Sequence, residues 1–238
     1  MRDRRNGGAH AIPIRTADDY RTIARVYGDE AYSIDHLPRR DDLWATHDRI
    51  IAAGRTPLVL DCGADAGITT RYFAGAFPAA RVIGVESDGD TFAHAATVCR
   101  AGNAELRRAN IAAESAGSGI RSLNSLVAEC SATGAWPFIV RIDLDRIDED
   151  LFSANSEWVE EFPLIILELR RWLFPAAANT CNVLRRLADA DRDFVFVGDA
   201  LFSVSNYHAA AAAAESRTGL PNAPVTVADP VLRTSPSF

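Results

Sequence analysis

Leu58-Val59-Leu60-Asp61-Cys62-Gly63-Ala64-Asp65-Ala66-Gly67 is the stretch whose reading decides the fold. The aliphatic run after Pro57 reads as a strand buried on both faces, where apolar residues need not alternate with polar ones. Gly63 and Gly67 bound an acidic turn, and the missing Cβ permits a tight bend and close backbone approach. Helical spacing resumes from Ile68 to Phe77, so the stretch predicts strand, loop, helix. In a doubly wound α/β sheet such a loop is where a nucleotide-like ligand sits.

Outward from this loop the pattern repeats. Arg81–Glu86 is a second apolar strand, and its terminal carboxylate falls 19 residues after Gly67. Asp90 is expected to cap a helix over Thr91–Ala101, stopped by Gly102-Asn103. A weaker strand over Ala104–Ala112 and a helix over Ser118–Ala132 follow. Phe138–Leu144 is a strong strand that ends among Asp143, Asp145, Asp148, Glu149 and Asp150. A helix over 148–161 is expected next, with Leu151, Phe152, Trp158 and Phe162 as its apolar anchors. Pro163–Leu169 is the most apolar strand, and a helix at about 179–190 precedes two short runs around Gly198-Asp199 that read as a β-hairpin.

Upstream, Thr16 caps a predicted helix to Val26, and Asp41–Ala53 forms another, ended by Gly54. The segment between them, with Tyr32, Asp35, His36 and Pro38, reads as a connector or as a cover over the ligand end of the sheet. Five β-α repeats closed by a hairpin predict a mainly parallel sheet with an antiparallel last strand. The expected organisation is an N-terminal extension over 1–40, a body over 41–206 and a C-terminal helix and extended tail over 207–238.

Bulk properties narrow the function classes. The 238 residues carry a net charge of −7, which argues against a surface built for nucleic-acid phosphates. All 25 basic residues are arginine, a pattern of coding bias rather than of selected chemistry. Cys62, Cys99, Cys130 and Cys181 are scattered and lack metal-site spacing, so they read as small buried hydrophobes in a reduced compartment. His36, His47, His94 and His208 are isolated and read as surface or packing residues, which leaves no metal site. No apolar run approaches a membrane span, and no apolar segment follows the basic start, so the cytoplasm is the default location.

The first loop discriminates between ligands. A nicotinamide site requires G-x-G-x-x-G, whereas this chain has Gly63-x-x-x-Gly67 with Asp61 and Asp65 inside it. A pyrophosphate would meet two carboxylates within a few ångströms, an unfavourable interaction on the order of 1 kcal/mol or more. A ligand carrying an ammonium and a sulfonium, S-adenosylmethionine, would find the same loop favourable. Glu86 stands where a carboxylate accepts hydrogen bonds from ribose hydroxyls, a need shared by both ligands.

These residues resemble a known family. Val59-Leu60-Asp61-x-Gly63-Ala64-Asp65-x-Gly67 resembles the first motif of class I S-adenosylmethionine-dependent methyltransferases. Ile142-Asp143-Leu144-Asp145-Arg146-Ile147-Asp148-Glu149-Asp150-Leu151-Phe152 is similar to the I-D-[IV]-E-G-A-E-x-x-[LV]-[LF] segment of FkbM-type methyltransferases. Ser153–Trp158, Ile165–Leu169 and Gly198–Phe202 continue the likeness, which spans roughly 58–206. The resemblance implies a class I Rossmann-like fold, with a reversed last strand in its seven-stranded sheet. It also implies O-methylation of a hydroxyl on a sugar or natural product. Departures are visible: Arg146 stands in place of glycine, Asp145 and Asp148 in place of glutamates, and Arg170-Arg171 where relatives carry His-Asp. Only 56 residues lie between Glu86 and Asp143.

By position, the resemblance puts Asp61, Gly63, Ala64, Asp65 and Gly67 at the cofactor's amino-acid end, and Glu86 with Ser87 at its ribose. Asp143 faces the reacting methyl group as base or orienter, supported by Asp145 or Asp148, although capping the following helix is the more common role for residues so placed. Arg146, Arg170 and Arg171 are candidates for selecting an anionic acceptor, or form a solvated face. The competing class is a catalytically degenerate protein that keeps the fold and binds the cofactor or a partner.

Overall fold

The computed structural model describes residues 11–117, 119–143, 149–168 and 180–208. The expected tail helix and the arginine-rich start lie outside them, as do Asp145, Arg146, Asp148, Arg170 and Arg171.

The loop-bearing strand is β1 (Thr56–Cys62), followed by helix α3 (Ile68–Ala76). Next come β2 (Arg81–Glu86), α4 (Gly89–Val98), β3 (Ala104–Arg108), a small two-stranded pairing of β4 (Asn110–Ile111) with β5 (Ile120–Arg121), and α5 (Leu123–Ala132). The chain closes with β6 (Ala135–Asp143), the short α6 (Trp158–Glu161), β7 (Leu164–Glu168), α7 (Thr180–Asp189), β8 (Arg192–Val197) and β9 (Ala200–Ser205). Seven strands form one sheet in the order β3-β2-β1-β6-β7-β9-β8. Every pair up to β7 is parallel, and β9 runs antiparallel to both β7 and β8. The anticipated architecture is therefore present, with the strand order reversing direction beside β1, where Gly63–Gly67 sits.

Side chains alternate across the sheet, and each face has its own core. Leu60, Cys62, Val140, Ile142, Ile165 and Leu167 pack with α5, α6 and α7. Val59, Val82, Ile139, Ile166 and Phe202 pack on the opposite face with α2 (Arg40–Ala52), α3 and the segment that begins with α1 (Ala17–Ile23). That segment contributes Ile23, Val26, Tyr27, Tyr32, Ile34 and Leu37, all buried. Each fully buried side chain of this size adds roughly 1.5–3 kcal/mol of transfer free energy. The hairpin is tied to the body by Arg192, which donates to the Val159 and Phe162 carbonyls at 2.9 Å and to the Ser203 carbonyl at 2.7 Å.

Local differences from the sequence expectation have local causes. Asp88, not Asp90, caps α4, accepting from the Thr91 amide at 2.8 Å. The predicted helix over 148–161 divides into a 3-10 turn at Glu149–Phe152 and α6, and Asn155 between them takes a left-handed φ of 49°. Helix α5 starts later than predicted because Ser122 caps it, after β5 has used the preceding residues. α1 does have the expected Thr16 cap, completed by Asp19 as a capping box, and its chain runs on as a π-type turn over Ala24–Gly28.

Candidate functional site

The carboxyl end of the sheet has two halves. Between β1 and α3, Gly63 and Gly67 both take left-handed φ values, 80° and 75°, and Asp65 between them does the same at 48°. The bend is held from inside. The Gly63 and Ala64 amides donate to the Val85 carbonyl at 3.0 and 2.9 Å, and Gly67 donates to the Ala64 carbonyl at 2.9 Å. The Asp65 amide donates to the Glu86 carboxylate at 2.9 Å. These amides point at protein acceptors, so they do not form a nest of donors for a phosphate.

Glu86 is buried at the end of β2, yet its two oxygens accept only backbone amides among the hydrogen bonds described, from Asp65 and from Asp88, each at 2.9 Å. Each carboxylate oxygen retains a second acceptor direction, which suits hydroxyls. Ser87 follows on an exposed turn. Gly67 serves packing as well as the turn, because a Cβ there would lie 3.1 Å from Ala95 on α4. Gly84 is tighter: a Cβ would lie 2.5 Å from Thr70 Oγ1 and 2.7 Å from Leu106.

The second half is a cluster of buried charge on the face that carries α1–α3. Register puts Asp61 opposite Arg141, and Asp143 opposite Glu168. The Arg141 guanidinium donates to Asp61 Oδ1 at 3.1 Å, to the Gly63 carbonyl at 2.8 Å and to Asp143 Oδ2 at 3.4 Å, and also to Glu168 Oε1. Thr70 completes Asp61 at 2.6 Å. Tyr32 donates its hydroxyl to Glu168, and Arg25 reaches both the Tyr32 oxygen and Glu168 Oε1, the latter at 2.9 Å. Arg25 also pairs with Asp199 in the hairpin turn at 2.8 Å. Both guanidinium groups lie close to the Tyr32 ring, at 5.1 and 5.7 Å from its centroid.

Three carboxylates thus share two guanidinium groups away from water. Burial alone would raise Glu168, but Arg141, Arg25 and the Tyr32 hydroxyl hold it well below the usual carboxylate range. Asp61 moves the other way: complete burial outweighs Arg141 and Thr70 and raises it. The two acids compete for one guanidinium, and Glu168 has the additional cation. Arg141 stays firmly protonated despite its burial, held by the same acids. Burial pushes the Tyr32 phenol well above its ordinary value, opposed by Arg141 and Arg25 and aided by the Glu168 charge.

Of the residues expected to line a ligand, the structure brings Gly63, Ala64, Asp65, Gly67, Glu86 and Ser87 together at the β1 and β2 ends. Asp61 is turned into the sheet, and the cation it meets is Arg141. Asp143 sits at the end of β6 beside the same guanidinium. Arg141, Glu168, Tyr32 and Arg25 were not anticipated. The signal for two of them is present, since Arg141 and Glu168 are charges inside strands otherwise apolar on both faces, and such charges must pair. Among the described residues, no group of three His, Cys, Asp or Glu could hold a metal ion, and no helix is long and apolar enough to cross a membrane. Cys62, Cys99 and Cys130 are free, and His47 packs among Trp44, Phe77 and Phe138.

No family model and no curated protein sequence matches the chain. Solved structures do match. An O-methyltransferase from Bacillus cereus, in complex with SAH, is 14% identical, aligns 81% of this chain with 93% of its own, and has a TM-score of 0.45. An O-methyltransferase from Streptomyces achromogenes involved in tomaymycin synthesis, in complex with SAM, is 13% identical over 81% of this chain and 92% of its own, with a TM-score of 0.44. A methyltransferase from Geobacter sulfurreducens is 16% identical over 81% and 92%, with a TM-score of 0.41.

Proposed function

We propose that the chain is an S-adenosylmethionine-dependent methyltransferase of the FkbM type, acting in the cytoplasm on a hydroxyl of a sugar or natural-product small molecule. The observation that carries this reading is the first loop. The Gly63, Ala64, Asp65 and Gly67 amides are satisfied by protein acceptors, and the charged groups at the turn are the carboxylates of Asp65 and of Glu86 on the next strand. That suits a cationic, ribose-bearing ligand and disfavours a pyrophosphate.

S-adenosylmethionine, when bound, supplies an electrophilic methyl group on a sulfonium. Glu86 and Ser87 would hold the ribose hydroxyls, and Asp65 with the Gly63 and Ala64 backbone would hold the amino-acid end. Gly67 keeps α3 close to α4 behind them. Asp61, which the loop pattern suggested as a direct ligand, acts through Arg141 and Thr70 instead. Methyl transfer is an in-line displacement, advanced chiefly by holding nucleophile and methyl in line. Asp143 is the group that orients the acceptor hydroxyl and receives its proton. Asp145 and Asp148 are its proposed supports, and Arg146, Arg170 and Arg171 its proposed selectors of an anionic acceptor. Residues 15–40, within the N-terminal extension, cover this end of a body spanning 41–206.

A second reading, a fold that binds the cofactor without turnover, is favoured by one observation: Asp143 is engaged by Arg141. Incubation with S-adenosylmethionine and a panel of neutral and anionic hydroxyl acceptors separates the two. Release of the demethylated cofactor with any acceptor supports the enzyme. Binding without release across the panel supports the second reading.

A further inference from the structure

The Arg141 guanidinium is the point where both halves of the carboxyl end meet. One of its nitrogens, Nη1, holds the Gly63 carbonyl and Asp61, both on the loop side. The other, Nη2, holds Glu168 and Asp143, both on the far side. Glu168 is in turn fixed from the N-terminal segment, by the Tyr32 hydroxyl and by Arg25. A planar fork with fixed angles between its donors transmits position as well as charge, because one end cannot move without the other.

We propose that Arg141 is a positioning residue that couples the N-terminal segment to the ligand loop: Tyr32 and Arg25, by seating Glu168, set where the guanidinium lies, and the guanidinium sets where Gly63 and Asp61 lie. The proposal deepens the methyltransferase reading and rests on it for the identity of the ligand. It gives Tyr32 a function at a distance. The phenol touches no part of the Gly63–Gly67 turn through the contacts described, yet its hydroxyl determines the turn's geometry. Arg141 Nε is buried and lacks a hydrogen-bond partner, so the fork is held by its two terminal nitrogens, where the coupling is read.

Tyr32→Phe is the discriminating variant, since it removes one hydroxyl and keeps the ring that packs on Tyr72 and Phe73. In the full-length chain it is expected to speed amide hydrogen exchange at Gly63, Ala64 and Asp65, and to weaken S-adenosylmethionine binding by about threefold to tenfold, the range typical of coupling between sites. In an Arg141→Lys background, where the fork is gone but the charge remains, Tyr32→Phe should change neither quantity further. Unchanged loop exchange in a folded Tyr32→Phe protein overturns the coupling, and so does an additive effect in the Arg141→Lys background. The two claims fail separately. A wild-type chain that does not bind S-adenosylmethionine sinks the methyltransferase reading, while loop exchange that still responds to Tyr32→Phe upholds the coupling.

Discussion

The two halves of the sheet's carboxyl end solve opposite problems. Around Gly63–Gly67, the amides of Gly63, Ala64 and Gly67 donate to backbone carbonyls and that of Asp65 to Glu86, leaving a turn whose one charged side chain is Asp65 and whose shape depends on left-handed backbone at Gly63, Asp65 and Gly67. Around Arg141, side-chain charges satisfy one another and the backbone is ordinary strand. On the proposed reading, the first half meets the ligand. The second is built to hold itself, with Asp143 at one margin and the partly exposed Arg25–Asp199 pair at the other. Stability is concentrated in the charged half, and Arg141, through Asp61 and the Gly63 carbonyl, is the proposed link to the loop, so substitutions in the charged half should reach binding only through that guanidinium.

The sharpest way to break that division is Arg141→Met. It leaves three carboxylates buried without their shared cation, and removing one side of a buried pair destabilises by about 3–5 kcal/mol. Urea unfolding at neutral pH should show this loss. A change under about 1 kcal/mol would mean that the cluster does not hold the fold.

Glu168→Gln comes next, with an expected loss of about 1.5–3 kcal/mol, the range for hydrogen bonds to charged groups. It also has a pH signature. The folded-state value of Glu168 is depressed, so its stabilisation is fully present above the ordinary value of 4.5 and is lost as pH falls below it. Asp61, raised by burial, takes up its proton first and contributes with the opposite sign. Unfolding midpoints of the wild type should therefore fall steeply below about pH 4.5, and Glu168→Gln should flatten that limb. Parallel curves for the two proteins would assign acid sensitivity elsewhere.

Gly84→Ala probes the loop half through packing alone. Its Cβ would press on Thr70, the hydroxyl that completes Asp61, and overpacking of this kind destabilises by about 1–3 kcal/mol. The smallest effect on stability is expected from Glu86→Gln, at the lower end of about 1–3 kcal/mol, because the amide carbonyl still accepts one backbone amide while its NH2 faces the other and leaves that donor unpaired. Its effect on binding is the reverse. S-adenosylmethionine affinity should fall by about tenfold, as expected when a charge-assisted hydrogen bond to a hydroxyl is lost. If Glu86→Gln destabilised the chain as much as Arg141→Met while leaving affinity intact, the two halves would not differ as described.

The sheet was legible because its evidence is periodic and local. Apolar strands, helices between them and the Gly198-Asp199 hairpin each carry their own signal, and β2 and β7 fall within a residue of their expected ends. Boundaries set by a single side chain were harder. Asp88 and Asp90 are equally good caps in sequence, and only the course of the chain after Glu86 selects the first. The break at Asn155 depends on one backbone angle. For the candidate site, the placement of the loop and of Glu86 at the ends of β1 and β2 was legible from spacing. The partner of Asp61 was not, because it is 80 residues distant in sequence and joins only through sheet register. Tyr32 is further still from Glu168, 136 residues, and no local pattern links them.

The claim that the first loop takes a cationic, ribose-bearing donor is tested most directly by calorimetry of the wild-type chain with S-adenosylmethionine and with NAD under the same conditions. Saturable binding of S-adenosylmethionine and none of NAD is the predicted result. Binding of NAD in preference to S-adenosylmethionine, or of neither, would contradict it.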